Sequence, residues 1–229
     1  PIAQSIVEKA GVTSGNTATG TVAITPSLMT LRDLRDYQAI RRTPVCASYR
    51  SAVICGMGPP SSGGIAVAQT LGMLESFDLS AANFRPTVVN IEGGKPSVDA
   101  VHVISEAQRL AYADRNKYVA DTDFIALPGQ GVATMIDKTY LRNRASLISM
   151  TTSMGTARPG DLGAIPLGAS TREGSGTTHL SIIDKFGNAV SMTTTVESSM
   201  GSYHFTRGFL LNNQLTDFSF APSDADGPI

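Results

Sequence analysis

The feature that most restricts the fold is a pair of alternating segments near the end of the chain. Polar and apolar residues alternate from Thr177 to Ile183 and again from Ala189 to Val196, with Asp-Lys-Phe-Gly-Asn between them at 184–188. A period of two is typical of β-strands, and Asp, Gly and Asn favour a tight turn. The pattern therefore predicts a β-hairpin.

The hairpin also predicts which residues face each other. If the turn is centred on Phe186, Ile183 faces Ala189 and Thr177 faces Thr195 at the open end. A threonine hydroxyl becomes a nucleophile when the threonine begins a chain, because its own α-amine then takes the proton. The preceding Gly174-Ser175-Gly176 predicts a flexible and sterically open approach to Thr177. On these residues alone a stabilising Thr–Thr pair is favoured over a nucleophile.

The remainder of the chain mixes helical and strand-like patterns. The predicted helices cover 2–10, a segment capped by Thr30 that runs to Ile40 and ends before Pro44, a segment starting near Gly63, Ser97–Tyr118, and about Lys138–Ile148. Ala47–Cys55 and Phe209–Leu211 are strand-like. Thr151–Ser175 has no periodicity and is predicted to be an exposed connector.

The Gly-rich segment before the third helix and the long helix Ser97–Tyr118 allow more specific predictions. The Gly-rich segment 57–64 before the third helix is either an anion cradle or a tight turn that packs the helix closely, and the packing interpretation is favoured because no P-loop lysine is present. In the long helix the predicted buried face consists of Val98, Val101, Ile104, Ala107, Leu110 and Ala111. Asp114 and Arg115 are predicted to form a local ion pair.

Charge and composition exclude several function classes. The chain of 229 residues has 18 Lys plus Arg against 19 Asp plus Glu and no basic cluster, so a nucleic-acid partner is not expected. No apolar run is long enough to span a bilayer. The three histidines do not stand with Cys or carboxylates at zinc-ligand spacing, so a zinc site is not expected. No other metal and no cofactor is predicted. Cys46 and Cys55 are interpreted as small buried hydrophobic residues.

Several motifs, taken in order, resemble the γ-glutamyltransferase family of N-terminal-nucleophile hydrolases. The motifs are Pro59-Pro60-Ser61-Ser62-Gly63-Gly64, Ala111-Tyr112-Ala113-Asp114-Arg115, Thr177-Thr178-His179-Leu180-Ser181, Asp184 to Val190, Gly208 to Gln214, and Asp217-Phe218-Ser219. The resemblance implies an α+β chain that forms part of a four-layer αββα sandwich. It also implies that 1–176 is the C-terminal part of a large-subunit region and 177–229 the N-terminal part of a small-subunit region.

The resemblance assigns roles to individual residues. It implies self-cleavage between Gly176 and Thr177, after which Thr177 attacks a γ-glutamyl amide such as that of glutathione. The acyl group then passes to water, an amino acid or a peptide. Thr195 matches the threonine that hydrogen-bonds the nucleophile. Gln214 and Asp217 match positions that hold the substrate α-ammonium, and Glu197 stands with them where better-known members have Asn.

The resemblance leaves alternatives for the activity. Glu197 strengthens attraction for an ammonium or marks a changed acyl specificity, as in cephalosporin or glutaryl acylases. A non-enzyme alternative is an unprocessed structural or binding remnant of the fold.

The family's upstream Arg, downstream Ser-Ser pair and Gly-Gly oxyanion hole have no counterpart here, so the chain is expected to be an internal fragment that is inactive alone. A heterodimer of large and small subunits in the periplasm or outside the cell is the family expectation.

Overall fold

The computed structural model describes residues 1–86, 88–90, 93–163 and 176–217, together with segments 223–224 and 227–228. The α-helices are α1 (Ile2–Ala10), α2 (Leu31–Asp36), α3 (Gly63–Leu74), α4 (Val98–Tyr118), α5 (Val132–Met135) and α6 (Lys138–Ala145), and short 3₁₀ helices cover Ala82–Phe84 and Gln214–Asp217. The strands are β1 (Ser14–Thr17), β2 (Gly20–Ala23), β3 (Val45–Tyr49), β4 (Ala52–Gly56), β5 (Val88–Asn90), β6 (Gly93–Lys95), β7 (Thr177–Ile183), β8 (Ala189–Thr195), β9 (Phe205–Thr206), β10 (Phe209–Leu210), β11 (Ser223–Asp224) and β12 (Gly227–Pro228).

Helices and strands alternate along the chain, which confirms the predicted mixed α+β class. Within the described residues, each strand pairs with its neighbour in sequence to form a two-stranded antiparallel ribbon. The chain divides into two compact units, one of 1–40 with 171–220 and one of 41–170 with 221–229. The predicted subunit regions, 1–176 and 177–229, concern a cut in the chain rather than its packing and stay a prediction.

The core of the second unit lies between α3, α4 and α6. Helix α4 begins where the Ser97 hydroxyl accepts a hydrogen bond from the Ala100 amide at 3.1 Å, a typical N-cap. Full burial of a Leu or Met side chain contributes about 1.5–3 kcal/mol. The buried cluster comprises Met73, Leu74, Val103, Ala107, Leu110, Ala111, Leu141, Ala145 and Ile148.

The predicted buried face of α4 is wrong in its first half. Val98, Val101 and Ile104 are 84%, 51% and 39% exposed, whereas the second half is buried as predicted. The helix instead buries Val103 together with two carboxylates, Glu106 and Asp114. Apolar periodicity could not identify this face, because charged residues at inward positions shift the apparent stripe.

The predicted ion pair between Asp114 and Arg115 is also wrong. Asp114 pairs with Arg144 at 3.0 Å and accepts hydrogen bonds from the Tyr140 hydroxyl at 2.6 Å and the Gly160 amide at 2.7 Å. Arg115 donates to the Ser62 hydroxyl at 3.1 Å instead. Burial and the hydrogen bond to Asp114 raise the pKa of Tyr140 far above its ordinary value. The buried carboxylate is stable because it is paired and fully hydrogen-bonded.

The connector is exposed along most of its described length, and polar contacts anchor it to the core. The Glu106 carboxylate accepts hydrogen bonds at 2.8 Å from the Ser153 hydroxyl and from the Met154 amide. Gly160 binds Asp114 through its amide. Residues 164–175 of the predicted connector lie outside the described part of the chain.

The single strand predicted at Ala47–Cys55 is a hairpin, because the chain turns at Arg50 with a φ of 53°. Cys46 faces Cys55 directly across this hairpin, and the two form a disulfide on its exposed side. The interpretation of both cysteines as buried hydrophobic residues is therefore wrong. Their spacing in sequence could not reveal the pairing, since it depends on a turn that the strand-like pattern hid.

The remaining elements follow their local signals more closely. Thr30 and Asp33 form the predicted capping box of α2, but the helix ends at Asp36, short of the expected Ile40. The Gly-rich turn before α3 packs closely, because a Cβ on Gly56 would lie 2.7 Å from the Cα of Gly64. This contact supports the packing interpretation.

Among the described residues, no helix has the length and apolar character needed to cross a membrane.

Candidate active site

The hairpin of β7 and β8 brings Thr177 and Thr195 together. Its turn is organised by Asp184, whose carboxylate accepts hydrogen bonds from the amides of Phe186 and Asn188 and from the Asn188 side chain, at 2.8–2.9 Å. The Asn188 side chain and these amides lower the pKa of Asp184. The observed register pairs Ile183 with Ala189 and Thr177 with Thr195, which confirms the prediction.

The Thr195 hydroxyl joins two parts of the main chain. Its oxygen accepts a hydrogen bond from the Glu197 amide at 2.8 Å and donates its proton to the Gly176 carbonyl oxygen at 3.3 Å. Gly176 precedes Thr177, so the acceptor belongs to the peptide bond at which cleavage is predicted. A donor placed on this oxygen stabilises negative charge that develops when the carbonyl carbon is attacked.

Gly176 has a restricted environment, contrary to the sterically open approach expected from the sequence. Its φ is +143°, a backbone conformation that residues other than glycine rarely adopt. A Cβ at this position would overlap the carbonyl oxygen of Glu197. Gly174 and Ser175 lie outside the described residues.

Three successive residues after β8 form a turn whose main chain is held at each position. Val196 O accepts from the Asn213 amide at 3.3 Å, Glu197 N donates to Thr195, and Ser198 N donates to Asn213 Oδ1 at 3.1 Å. The Ser198 hydroxyl donates to the same oxygen at 3.0 Å. The sequence analysis missed the role of Asn213, because only its place in a polar cluster with Asn212 and Gln214 was visible.

The structure brings two of the predicted substrate-binding side chains into contact. Gln214 Nε2 donates to Glu197 Oε2 at 3.1 Å. An ionised carboxylate only accepts hydrogen bonds, so the amide must direct its NH₂ group to Glu197. The Gln214 carbonyl oxygen then remains available as an acceptor next to a carboxylate. Asp217 ends the 3₁₀ helix Gln214–Asp217, and its side chain lies outside the described residues.

The same face of the hairpin carries a hydroxyl and imidazole cluster that the sequence analysis did not identify. His179 Nδ1 lies 2.8 Å from Thr193 Oγ1, and Nε2 lies 3.0 Å from Ser191 Oγ. Because residues two apart share a face, this cluster lies alongside the Thr177–Thr195 pair. Within the described ranges, no group of three or more His, Cys, Asp or Glu residues is arranged to hold a metal ion.

Comparisons with known proteins identify the family. The family model described as Gamma-glutamyltranspeptidase matches residues 1–227. The chain is 37% identical over 199 residues to the glutathione hydrolase proenzyme of Escherichia coli (strain K12), which covers 85% of this chain and 31% of that protein. It is 34% identical over 213 residues to the acylase ACY 1 proenzyme of Pseudomonas sp. (strain V22), covering 92% of this chain and 34% of that protein.

The chain thus spans about a third of the length of these relatives. Among solved structures, the gamma-glutamyltranspeptidase of Helicobacter pylori matches with a TM-score of 0.49 and 36% identity, over 58% of this chain and 35% of that one. The assignment rests on the sequence matches, which extend over nearly all of the residues. The chain belongs to the gamma-glutamyltranspeptidase family.

Proposed function

We propose that the full-length protein hydrolyses and transfers γ-glutamyl groups, using Thr177 as the nucleophile after the chain has cut itself between Gly176 and Thr177. Residues 1–176 and 177–229 then belong to the large and small subunits of a heterodimer. The observation that carries the proposal is the hydrogen bond from the Thr195 hydroxyl to the Gly176 carbonyl oxygen, with Thr177 directly opposite Thr195.

Self-cleavage follows from this arrangement in two steps. The Thr177 hydroxyl adds to the Gly176 carbonyl carbon, the bond to the Thr177 nitrogen breaks, and that nitrogen takes the proton, which leaves an ester and a free amine. Water then hydrolyses the ester to a Gly176 carboxylate and the Thr177 hydroxyl. Thr195 donates to the oxygen that becomes negative during the attack.

The amine produced by cleavage supplies the base for catalysis. It takes the proton of the Thr177 hydroxyl as the oxygen attacks the γ-amide carbonyl of the substrate and forms an acyl-enzyme. The amine of the leaving group receives the proton and departs. Water, an amino acid or a peptide then accepts the γ-glutamyl group and frees Thr177.

The substrate's α-ammonium is proposed to bind Glu197, Gln214 and Asp217. The contact between Glu197 and Gln214 supports this role, since it leaves a carboxylate and an amide carbonyl side by side. Carboxylate and amide oxygens are the acceptors that a cation such as the α-ammonium requires. A glutaryl group has the same carbon chain without the ammonium and gains nothing from these acceptors.

The substrate class is tested with two anilides that differ only in the α-ammonium. We expect the full-length protein to cleave γ-glutamyl-p-nitroanilide with a kcat/KM about 10–100-fold higher than that for glutaryl-p-nitroanilide, because a hydrogen bond to a charged group contributes about 1.5–3 kcal/mol. Glu197→Gln should reduce this ratio by raising KM for the γ-glutamyl substrate. A ratio below one would favour the second candidate.

The second candidate is an acylase acting on glutaryl or related side chains. It is supported by 34% identity to a protein named acylase ACY 1 proenzyme and by the Glu at position 197. The Glu197 carboxylate favours the γ-glutamyl activity, because it attracts the α-ammonium of a γ-glutamyl group, whereas a glutaryl group has no positive charge to attract.

The wider architecture and location are also proposals. The hairpin of β7 and β8 exposes Ile182, Val190 and Met192, and a lone two-stranded ribbon is marginally stable, which supports its place in a larger αββα sandwich. The disulfide between Cys46 and Cys55 supports a periplasmic or extracellular location, because disulfides persist in oxidising compartments.

A further inference from the structure

The main chain of Glu197 has a conformation that its residue type does not favour. Its φ is +72°, in the left-handed region. For a residue with a Cβ this region costs about 1–2 kcal/mol, and a residue other than Gly, Asn or Asp there is uncommon. Such strain persists only where surrounding contacts impose it, and it often marks a functional position.

The contacts that impose this conformation act on the main chain. The amide of Glu197 is bound by the Thr195 hydroxyl, and the residues on either side are bound by Asn213 through its amide and its side-chain oxygen. The Glu197 carboxylate is held separately, by Gln214. The main-chain contacts thus involve Thr195 and Asn213, whereas this side-chain contact involves Gln214.

The Glu197 carbonyl in turn contacts the residue before the predicted nucleophile. It lies so close to the Gly176 Cα that no Cβ fits there. The carbonyl oxygen of the same Gly176 accepts a hydrogen bond from the Thr195 hydroxyl. Because the Glu197 amide occupies an acceptor site of that hydroxyl, the proton is directed to Gly176.

We propose that the Glu197 main chain is a positioning element for self-cleavage, distinct from the substrate-binding role of its side chain. It acts through Gly176 and Thr195: its carbonyl fixes the position of Gly176, and its amide orients the hydroxyl that donates to the Gly176 carbonyl. The proposal rests on the proposed function, because it presumes cleavage at Gly176–Thr177. One residue then serves maturation through its backbone and substrate binding through its carboxylate.

The experiment separates these roles with substitutions of different backbone preference in the full-length protein. Glu197→Gly accepts a positive φ without strain and lacks the carboxylate, so it should cleave itself within about threefold of the wild-type rate while KM for γ-glutamyl-p-nitroanilide rises about tenfold or more. Glu197→Val opposes a positive φ and should slow self-cleavage about tenfold or more. The cleavage rate is followed by the appearance of the fragment that begins at Thr177, with Ser199→Ala as a control on the same loop.

A second substitution keeps the test independent of the folding of Glu197→Val. Gly176→Ala introduces a Cβ that overlaps the Glu197 carbonyl, at a φ that alanine rarely adopts, and should stall cleavage, while its near-ultraviolet circular dichroism stays that of uncleaved Thr177→Ala. Equal cleavage rates for wild type, Glu197→Val and Gly176→Ala would overturn the inference and leave the proposed function intact. A wild-type protein that never cleaves would instead overturn the proposed function.

Discussion

At the scale of single residues, Thr195 links the hairpin to the predicted cleavage point. It accepts from the Glu197 amide at 2.8 Å and donates to the Gly176 carbonyl oxygen at 3.3 Å. A hydroxyl has only one proton, and the Glu197 amide donates to its oxygen, so the O–H bond points to the Gly176 carbonyl. We therefore propose that Thr195 acts on the carbonyl that is attacked during self-cleavage.

Removing this donor should slow self-cleavage of the full-length protein. We expect Thr195→Val to reduce the rate about 100-fold, the usual loss when one donor to a developing oxyanion is removed. Thr195→Ser keeps the hydroxyl and should restore most of the rate. The measurement is the half-time of cleavage followed by gel densitometry.

Thr194→Val is the matched control, because Thr194 pairs with Thr178 on the opposite face of the same strand. It should cleave at the wild-type rate. If Thr195→Val and Thr194→Val cleave equally fast, Thr195 is not a donor in this step.

How far the sequence predicts individual residues depends on the range of the interactions involved. The facing of Thr177 and Thr195 was predictable, since a five-residue turn and a period of two determine it. The positive φ of Glu197 and the support from Asn213 were not, because they arise from contacts between segments about 15 residues apart.

At the scale of elements, α4 is defined by the carboxylates that it buries. Its extent followed from the sequence, but its inward face did not, since Glu106 and Asp114 are buried although they lie outside the predicted apolar face. Each finds its partners on distant segments: Glu106 at Ser153 and Met154, Asp114 at Arg144 and Gly160. A long helix thus anchors residues 153–160, a part of the connector that forms neither helix nor strand.

The Glu106 anchor predicts a specific dependence of stability on pH. Burial alone would raise the pKa of Glu106, but hydrogen bonds from Met154 and Ser153 and the charge of Arg109 outweigh it and lower the pKa below its ordinary 4.5. Its contribution to the free energy of unfolding is therefore complete above the unfolded-state pKa and is lost as the pH falls through the lower, folded-state pKa.

Glu106→Gln should lower the free energy of unfolding of the full-length protein by about 1–3 kcal/mol at pH 7, as hydrogen bonds to a charged group are lost. The difference from wild type should shrink below pH 4 in urea titrations. Gln108→Ala on the same helix is the control, since Gln108 is exposed and carries no charge that changes between pH 7 and pH 3. A Glu106→Gln effect that is constant from pH 7 to pH 3 would contradict this account.

At the scale of the whole molecule, the chain contains the predicted cleavage point together with the three residues proposed to bind the substrate's α-ammonium. It spans about a third of the length of its relatives, and its described strands form only two-stranded ribbons. The mixed α+β class was predictable from alternating patterns. The layered sandwich could not be read from the patterns, because it depends on pairing between strands far apart in sequence, and it stays a proposal.

The central claim is that the protein exposes Thr177 as a new N-terminus by cutting itself. Intact-mass analysis of the purified full-length protein, incubated without protease, should show two chains, the smaller beginning Thr177-Thr178-His179. Thr177→Ala should remain a single chain and lack γ-glutamyl-p-nitroanilide activity, because the hydroxyl is the only nucleophile in the mechanism. A wild-type protein that stays whole, or a Thr177→Ala protein that is still cut before residue 177, would contradict it.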